Sequence, residues 1–362
     1  MKKWRYIKMN MKKLSLAALS LSLTAGLLAG CAGKPAASTP APSEAPVESA
    51  APSAAVTEGA VKTGLSVITG VKSSKDASAE GEGLAQADIA LVAVTVTDDG
   101  VIDSCVIDAV QAKINFDAEG KLVTPLDTEF ASKNERGDDY GMRKASAIGK
   151  EWDEQAAAFA EYAVGKTVEE LKGIAIDDSG KAADADLASS VTVTVGGFLE
   201  GIEAAVANAA HLGAQAGDKL ALTTVTNMSK SKDATAEADG LAQAYTTVAA
   251  VTLNGDTVTS CSIDAVQANV NFDASGAITT DLAAPQASKN ELGDAYDMRK
   301  ASSIGKEWNE QAAAFCEYVT GKTVSEITGI AVDDHGSATD ADLASSVTIG
   351  ITEFQELIEK AV

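Results

Sequence analysis

Most of this 362-residue chain consists of two copies of one sequence. Residues 64–209 and 219–362 align over nearly their whole length, and 156 positions separate Cys105 from its counterpart Cys261. The repeated units of solenoid proteins are far shorter, roughly 20 to 50 residues, so a repeat of this length indicates a duplicated globular domain. The sequence therefore predicts two tandem copies of one domain, with residues 210–218 as the linker between them.

Each copy begins with strand-like segments. In the first copy, apolar and β-branched runs predict strands at 89–97 and 101–109, joined by the turn Asp98-Asp99-Gly100 as a β-hairpin. A second hairpin is predicted at 114–123. Antiparallel strands connected in this way predict an antiparallel sheet in each copy.

The later part of each copy has helical spacing. Apolar residues recur every three or four positions from Met142 to Gly165, which predicts an amphipathic helix. A short helix is predicted at Val168–Lys172, a strand at 189–194 and a last helix at 197–209. In the second copy, Thr352 and Gln355 predict a capping box for the last helix. The predicted fold class is α+β, with an antiparallel sheet and helices packed on one of its faces, in two tandem copies.

The composition excludes several functional classes. The chain has 52 Asp and Glu residues against 29 Lys and Arg, a net charge of −23, so we expect no nucleic-acid partner. Two His residues without nearby ligand spacing argue against a zinc site and against a His-based catalytic triad. The absence of any CxxC argues against haem and iron–sulfur clusters. Acidic turns lack EF-hand spacing, so no metal site is predicted.

The N-terminus has the pattern of an export signal. Lys12 and Lys13 precede an apolar stretch at 14–29 that is too short to span a bilayer. That stretch ends in Leu28-Ala29-Gly30-Cys31, which resembles the bacterial lipobox. The resemblance implies that residues 1–30 are a lipoprotein signal peptide, which begins at Met1 or at Met11, and that Cys31 carries a diacylglycerol. The chain would then be anchored to the cell membrane and face outside the cytoplasm.

The segment after the lipobox is rich in Ala, Ser and Pro and holds five of the seven prolines of the chain. Such a composition cannot bury a core, so residues 31–63 are predicted to be a flexible tether. The alternative for this whole N-terminal region is a soluble secreted protein in which Cys31 follows the signal by coincidence.

A seven-residue segment precedes the last helix of each copy, Asp186-Leu187-Ala188-Ser189-Ser190-Val191-Thr192 in the first and Asp342 to Thr348 in the second. It resembles the flavinylation motif of the FMN-binding domain family, in which a flavin transferase esterifies the last hydroxyl with the phosphate of FMN. The resemblance implies covalent attachment at Thr192 and Thr348. The other cofactor-binding residues that it implies are Asp186, Asp342, Ser189, Ser345, Ser190 and Ser346.

Two positions differ from the family pattern. Ser190 and Ser346 stand where the pattern has Gly, and Val191 and Val347 stand where it has Ala. We expect these larger side chains to add bulk beside the acceptor hydroxyl.

The layout as a whole, two copies behind a lipobox and a tether, resembles flavoprotein lipoproteins of extracellular electron transfer. The resemblance implies a membrane-anchored electron carrier with covalent FMN rather than a catalyst. Its partners would be the membrane through the lipid anchor, a flavin transferase, a membrane electron donor, and an extracellular acceptor or reductase.

Two alternatives stay open. Val191, Val193 and Val195 alternate with Thr192 and Thr194, which is also the pattern of an ordinary strand with one buried face. The alternative function is a surface lipoprotein without a cofactor that binds a ligand or another protein, as adhesins and immunogens do.

The cysteines differ between the copies. Cys105 and Cys261 are equivalent, whereas Cys316 stands at the position of Ala160 in the first copy. Outside the cytoplasm a Cys261–Cys316 disulfide is permitted, and the expected state is three buried free thiols.

Overall fold

The computed structural model describes residues 59–362. The predicted signal peptide at 1–30, the lipid-attachment residue Cys31 and most of the predicted tether lie outside the described residues. Within residues 59–362, none of the helices has the length and the apolar character that crossing a membrane requires.

The first copy forms a three-stranded antiparallel sheet followed by helices, in strand order β1-β2-β3. Its elements are β1 (Lys62–Gly70), β2 (Gly83–Val96), β3 (Ile102–Phe116), α1 (Lys133–Arg136), α2 (Trp152–Ala163), α3 (Val168–Lys172), α4 (Ala185–Ala188) and α5 (Gly196–Ala207). A 3₁₀ segment at Gly137–Tyr140 follows α1.

The second copy repeats this order, with a sheet of order β4-β5-β6. Its elements are β4 (Lys219–Asn227), β5 (Gly240–Asn254), β6 (Thr257–Phe272), α6 (Lys289–Leu292), α7 (Trp308–Val319), α8 (Val324–Thr328), α9 (Ala341–Ala344) and α10 (Thr352–Glu359). The prediction of an α+β fold, with an antiparallel sheet and packed helices in each of two copies, is confirmed.

The central strand of each sheet, β2 in the first copy and β5 in the second, is buried on both faces. Ile89 and Leu91 of β2 lie in a core between the two sheets, whereas Val92 and Val94 pack against the helices of the first copy. This explains why β2 is a nearly continuous apolar run rather than an alternating one. The result is four layers: helices, sheet, sheet and helices.

The core between the two sheets joins the two copies. Phe116 at the end of β3 and Phe272 at the end of β6 are both fully buried, and their rings stack with centroids 4.2 Å apart and planes 6° apart. Buried apolar side chains of both sheets form one continuous core around this pair. Residues 59–362 accordingly form a single compact unit.

The turns that follow β3 and β6 interlock the copies reciprocally. The N–H of Ala77 donates to the carbonyl of Gly276, and the N–H of Ala234 donates to the carbonyl of Gly120, each at 2.8 Å. Gly276 has φ +71°, and a Cβ there would lie 2.7 Å from the carbonyl oxygen of Asp117. Glycine is therefore required at this turn both for its backbone conformation and for the close approach of the other copy.

The long predicted helix at Met142–Gly165 is wrong over its first part. Helix α2 begins at Trp152, and residues 142–150 form turns. The Glu151 carboxylate, which is 2% exposed, accepts the N–H groups of Met142 and Arg143 at 2.7 Å each. These bonds fold the preceding segment back on the start of α2 instead of extending the helix.

Other predictions have mixed outcomes. The helix at Val168–Lys172 and the first hairpin are confirmed. The second hairpin forms as a short turn at the end of β3, where Phe116 pairs with Leu122 and the Val123 N–H donates to the Asn115 carbonyl at 2.8 Å. The capping box in the second copy is wrong, because Ile351 is the N-cap of α10 and makes no side-chain cap. The Gln355 side chain instead donates to the carbonyl groups of Ile327 and Ile330, at 2.9 and 3.0 Å.

Candidate functional site

The flavinylation-like segment of the first copy is a single helical turn followed by irregular backbone. The carboxylate of Asp184 caps α4 by accepting the N–H groups of Asp186 and Leu187, each at 3.1 Å. The N–H groups of Ser190 and Val191 both donate to the Leu187 carbonyl. Helical bonding thus extends into residues 189–191, and the predicted strand at 189–194 is not formed.

Thr192 is held by one buried side chain. The Gln155 Oε1 of α2 accepts the Thr192 N–H at 2.8 Å, the Thr192 Oγ1 hydroxyl at 3.1 Å and the Val193 N–H at 3.2 Å. Gln155 is 0% exposed, and its Nε2 donates to the Ser146 hydroxyl and the Lys150 carbonyl, both at 3.2 Å. Gln155 therefore fixes both the backbone and the hydroxyl of Thr192, which is itself half-buried.

The second copy repeats this arrangement. Gln311 Oε1 of α7 accepts the Thr348 N–H at 2.8 Å, its Oγ1 hydroxyl at 3.1 Å and the Ile349 N–H at 3.2 Å. Asp340 caps α9 as Asp184 caps α4. The two threonines named from the sequence thus have the same environment.

The other residues of the motif are not gathered around the threonine hydroxyl. Asp186 and Asp342 are exposed. Each lies two positions after the aspartate that caps its short helix, Asp184 in α4 and Asp340 in α9. The serine hydroxyls bond locally: Ser189 donates to the Asp186 carbonyl at 2.7 Å and Ser190 to the Leu187 carbonyl at 3.2 Å. Ser345 and Ser346 make the equivalent bonds in the second copy. These serines therefore stabilise the turn that presents the threonine.

The departures from the family pattern are accommodated away from the threonine hydroxyl. Val191 is 0% exposed and lies in the core beneath the helices of the first copy, and Val347 is equally buried in the second. Ser190 and Ser346 do not require the left-handed backbone region that favours glycine. The expected extra bulk of valine is thus directed into the core.

A cavity lies next to the motif in the second copy. Its volume is about 430 Å³, within the range of about 300–1,000 Å³ typical of small-molecule sites. Its wall includes Gly350, which follows Thr348 by two positions, and Thr352 at the start of α10. The other lining residues are Asn227, Ser229, Lys230, Gln243, Tyr245, Gln267, Lys289, His335, Gly336 and Glu353.

Lys289 provides a buried positive charge in this wall. Its Nζ lies 4.7, 4.8 and 4.6 Å from the ring centroids of Tyr245, Tyr296 and Trp308, and it donates to the Tyr245 hydroxyl at 2.9 Å. Lys289 is 5% exposed, and burial lowers its pKa to about 8, an effect opposed by the negative charges of Glu353 and Asp264. The rings stabilise the ammonium through cation–π attraction.

The same wall contains an acceptor without a partner. Gln243 is 6% exposed, its Nε2 donates to the Asn269 side chain at 2.9 Å, and its Oε1 is buried with no hydrogen bond. Such an atom costs stability unless a ligand or water donates to it. The cavity wall therefore contains an ammonium donor, while the free acceptor is buried within that wall.

The equivalent cavity of the first copy is smaller, at about 230 Å³. It lies against Val193, Thr194 and the start of α5, where Gly197 replaces Glu353. At the Tyr245 position stands Asp88, whose carboxylate accepts hydrogen bonds from the side chains of Gln86, Gln111 and Ser73.

Lys133 occupies the Lys289 position in this copy, with its Nζ 4.9 Å from the Tyr140 ring centroid and 4.6 Å from that of Trp152. The lysine of the first copy thus has one aromatic ring fewer around it, and the cavity wall has Asp88 as an acidic residue, whereas that of the second copy has Glu353.

Sequence reasoning missed the glutamines and the lysines of these sites. Gln155 and Gln311, and Lys133 and Lys289, recur at the same offset of 156 as the threonines. That recurrence was the available signal, because a polar residue retained in both copies on an otherwise apolar helix face is unusual. The contact of Gln155 with Thr192, which is 37 positions away in the sequence, could be found only from the folded structure.

No group of three or more His, Cys, Asp or Glu side chains is arranged to hold a metal ion within residues 59–362. Comparisons with protein-family models, with curated proteins and with solved structures found no match to this chain.

Proposed function

We propose that this chain is a membrane-anchored extracytoplasmic flavoprotein that carries FMN on Thr192 and Thr348 and relays electrons. The observation that carries the proposal is the repeated position of these threonines. Each is half-buried, each hydroxyl is oriented by a buried glutamine, and each lies next to a cavity that begins one or two residues further along the chain. The remainder of the proposal, including the lipid anchor at Cys31, rests on the resemblances in the sequence.

The side chains around the second cavity suit a planar cofactor with polar edges. Lys289 offers an ammonium to a negatively charged or carbonyl oxygen, and Tyr245 and Gln267 line the same wall. Flavin supplies redox chemistry when it is bound, and the protein holds it and sets its electrostatics. The lysine and the polar lining of this copy therefore fit the ring of the proposed group, whereas Glu353 at the start of α10 does not favour its phosphate.

The helix that follows each threonine contributes differently in the two copies. The N-terminus of α5 begins with Gly196 and Gly197, whose added Cβ atoms would meet nothing within 4 Å, so its N–H groups are accessible to a phosphate. In α10 the carboxylate of Glu353 lies in the first turn and opposes a phosphate there. The first copy thus favours phosphate, whereas the second has the larger cavity, and the two sites need to be assayed separately.

The test is the intact mass of the exported chain from a cell that contains a flavin transferase. The parent is expected to carry two FMN-sized increments, Thr192→Ala and Thr348→Ala one each, and the double variant none. Thr194→Ala is the matched control, because it removes an exposed threonine hydroxyl two residues from the proposed acceptor. It is expected to keep both increments.

An unmodified parent, obtained while the same cell modifies a known substrate of the transferase, would refute covalent flavin. The alternative of a surface lipoprotein without a cofactor would then be the better account. If both increments are present, reduction followed by visible absorbance measures whether each flavin accepts electrons, which is the property that a relay requires.

A further inference from the structure

Two cysteine side chains meet in the core of the second copy. Cys261 lies on β6 and Cys316 on α7, and they are 2% and 6% exposed. Their Sγ atoms are 3.1 Å apart, and no disulfide joins them. In the first copy, Cys105 faces a position occupied by Ala160, so this juxtaposition belongs to the second copy.

The distance between the two Sγ atoms is close to that in a disulfide. A disulfide needs an Sγ–Sγ distance of about 2.05 Å, so a movement of about 1 Å would bring the two atoms to bonding distance. Within one compact core such a movement is shared between a strand and a helix that already pack against each other.

Burial also affects how the pair reacts. The pKa of Cys261 is raised well above its ordinary value by its contact with Cys316 and by burial. The thiolate is the reactive form in disulfide exchange, so the folded dithiol reacts slowly with an external oxidant. A cross-link would form mainly while the chain folds, and once formed it would be protected from reduction.

We propose that Cys261 and Cys316 are a modification site that forms a disulfide between β6 and α7 in an oxidising compartment. The oxidant is an external disulfide, as in a thiol–disulfide oxidoreductase. The thiolate of one cysteine attacks this disulfide, which forms a mixed disulfide and releases one thiol of the oxidant. The thiolate of the other cysteine then attacks the sulfur of the first cysteine, which closes the Cys261–Cys316 bond and releases the second thiol of the oxidant. Two electrons and two protons are transferred to the oxidant. The inference rests on the export part of the proposed function and not on the flavin.

The test uses the full chain, unfolded in urea and refolded in a glutathione buffer of oxidising poise, so that burial does not prevent equilibration. Free thiols are then alkylated and the cysteine peptides are mapped by mass spectrometry. We expect at least ten linked Cys261–Cys316 pairs for each unlinked pair, with the mass of two hydrogens lost. Cys105→Ala, which leaves the pair intact, is expected to give the same ratio.

Cys316→Ala is the matched control, because it installs the residue that the first copy tolerates at Ala160. It is expected to leave Cys261 alkylated. Separate alkylation of Cys261 and Cys316 in the refolded parent, or a link that disappears in Cys105→Ala, would overturn the proposal. Because the oxidant is supplied in the buffer, neither result depends on export or on flavin attachment.

Discussion

The glutamine that holds each threonine offers the sharpest test of the site. Gln155→Leu removes one oxygen that accepts two backbone N–H groups and the Thr192 hydroxyl. It also removes the donor to the Lys150 carbonyl. Leucine is similar in size and is suited to a buried position, so the change is mainly one of hydrogen bonding.

The expected loss of stability follows from the polar groups that Gln155→Leu leaves without hydrogen-bond partners. Each buried N–H that loses its acceptor costs about 1–3 kcal/mol, and the lower end applies because Thr192 and Val193 are half-buried and accessible to water. Two such groups give about 2 kcal/mol, and the lost Nε2 donor raises the total to about 2–4 kcal/mol. If the segment opens locally, 2 kcal/mol corresponds to exchange of its amide hydrogens about 30-fold faster.

The assay is hydrogen exchange measured by mass spectrometry on peptides covering 188–196 and 344–352, together with urea unfolding. Gln155→Leu is expected to speed exchange in the first peptide only, and Gln311→Leu in the second only, so each variant is the control for the other. If FMN is attached, Gln155→Leu is expected to reduce its occupancy at Thr192 and not at Thr348.

Unchanged exchange at 188–196 in Gln155→Leu, despite normal folding, would refute the claim that this side chain holds the segment around Thr192. An equal increase in both peptides would also refute it, because it would indicate a global rather than a local role.

Two further predictions concern stability. Gly276→Ala is expected to cost about 2–5 kcal/mol, from its positive φ and from its approach to the Asp117 carbonyl of the other copy, whereas Gly255→Ala, with a positive φ and open space, costs about 1–2 kcal/mol. Equal losses in urea unfolding would show that the turns of the two copies do not press together. Burial raises the pKa of Asp108 to about 6, so the folded state retains a proton that the unfolded chain loses near pH 4, and stability falls as pH rises between these values. Asp108→Asn is expected to remove the part of this fall that Asp108 contributes, gaining about 3 kcal/mol relative to the parent between pH 4 and 7, while Asp264, whose pKa burial also raises to about 6, keeps its own part; a difference independent of pH would contradict it.

Part of the site was accessible from the sequence. The motif resemblance named Thr192 and Thr348, and the structure places both in one repeated environment. The same reasoning assigned 189–194 to a strand, because alternating valines and threonines favour β structure locally. In the fold, Val191 is buried and Gln155 accepts the N–H groups that a neighbouring strand would otherwise have bonded. A partner 37 positions away cannot be read from local alternation.

The prediction of one long central helix was wrong for a related reason. Apolar spacing of three or four residues continues from Met142 into α2, and a helix and a series of tight turns satisfy that spacing equally well over one or two turns. The choice was made by Glu151, whose buried carboxylate accepts two backbone N–H groups and begins the helix at Trp152.

The sequence by itself determined that the chain contains one α+β domain in two copies, because repetition and the periods of apolar residues are local properties that survive without coordinates. Only the tertiary structure decided that the two sheets share a central core, in which Phe116 stacks on Phe272. It also decided which buried side chain orients each threonine and that Cys261 meets Cys316. The physical reason is that these contacts join residues far apart in the chain, and burial on both faces of a sheet erases the alternation that would have shown where each face packs.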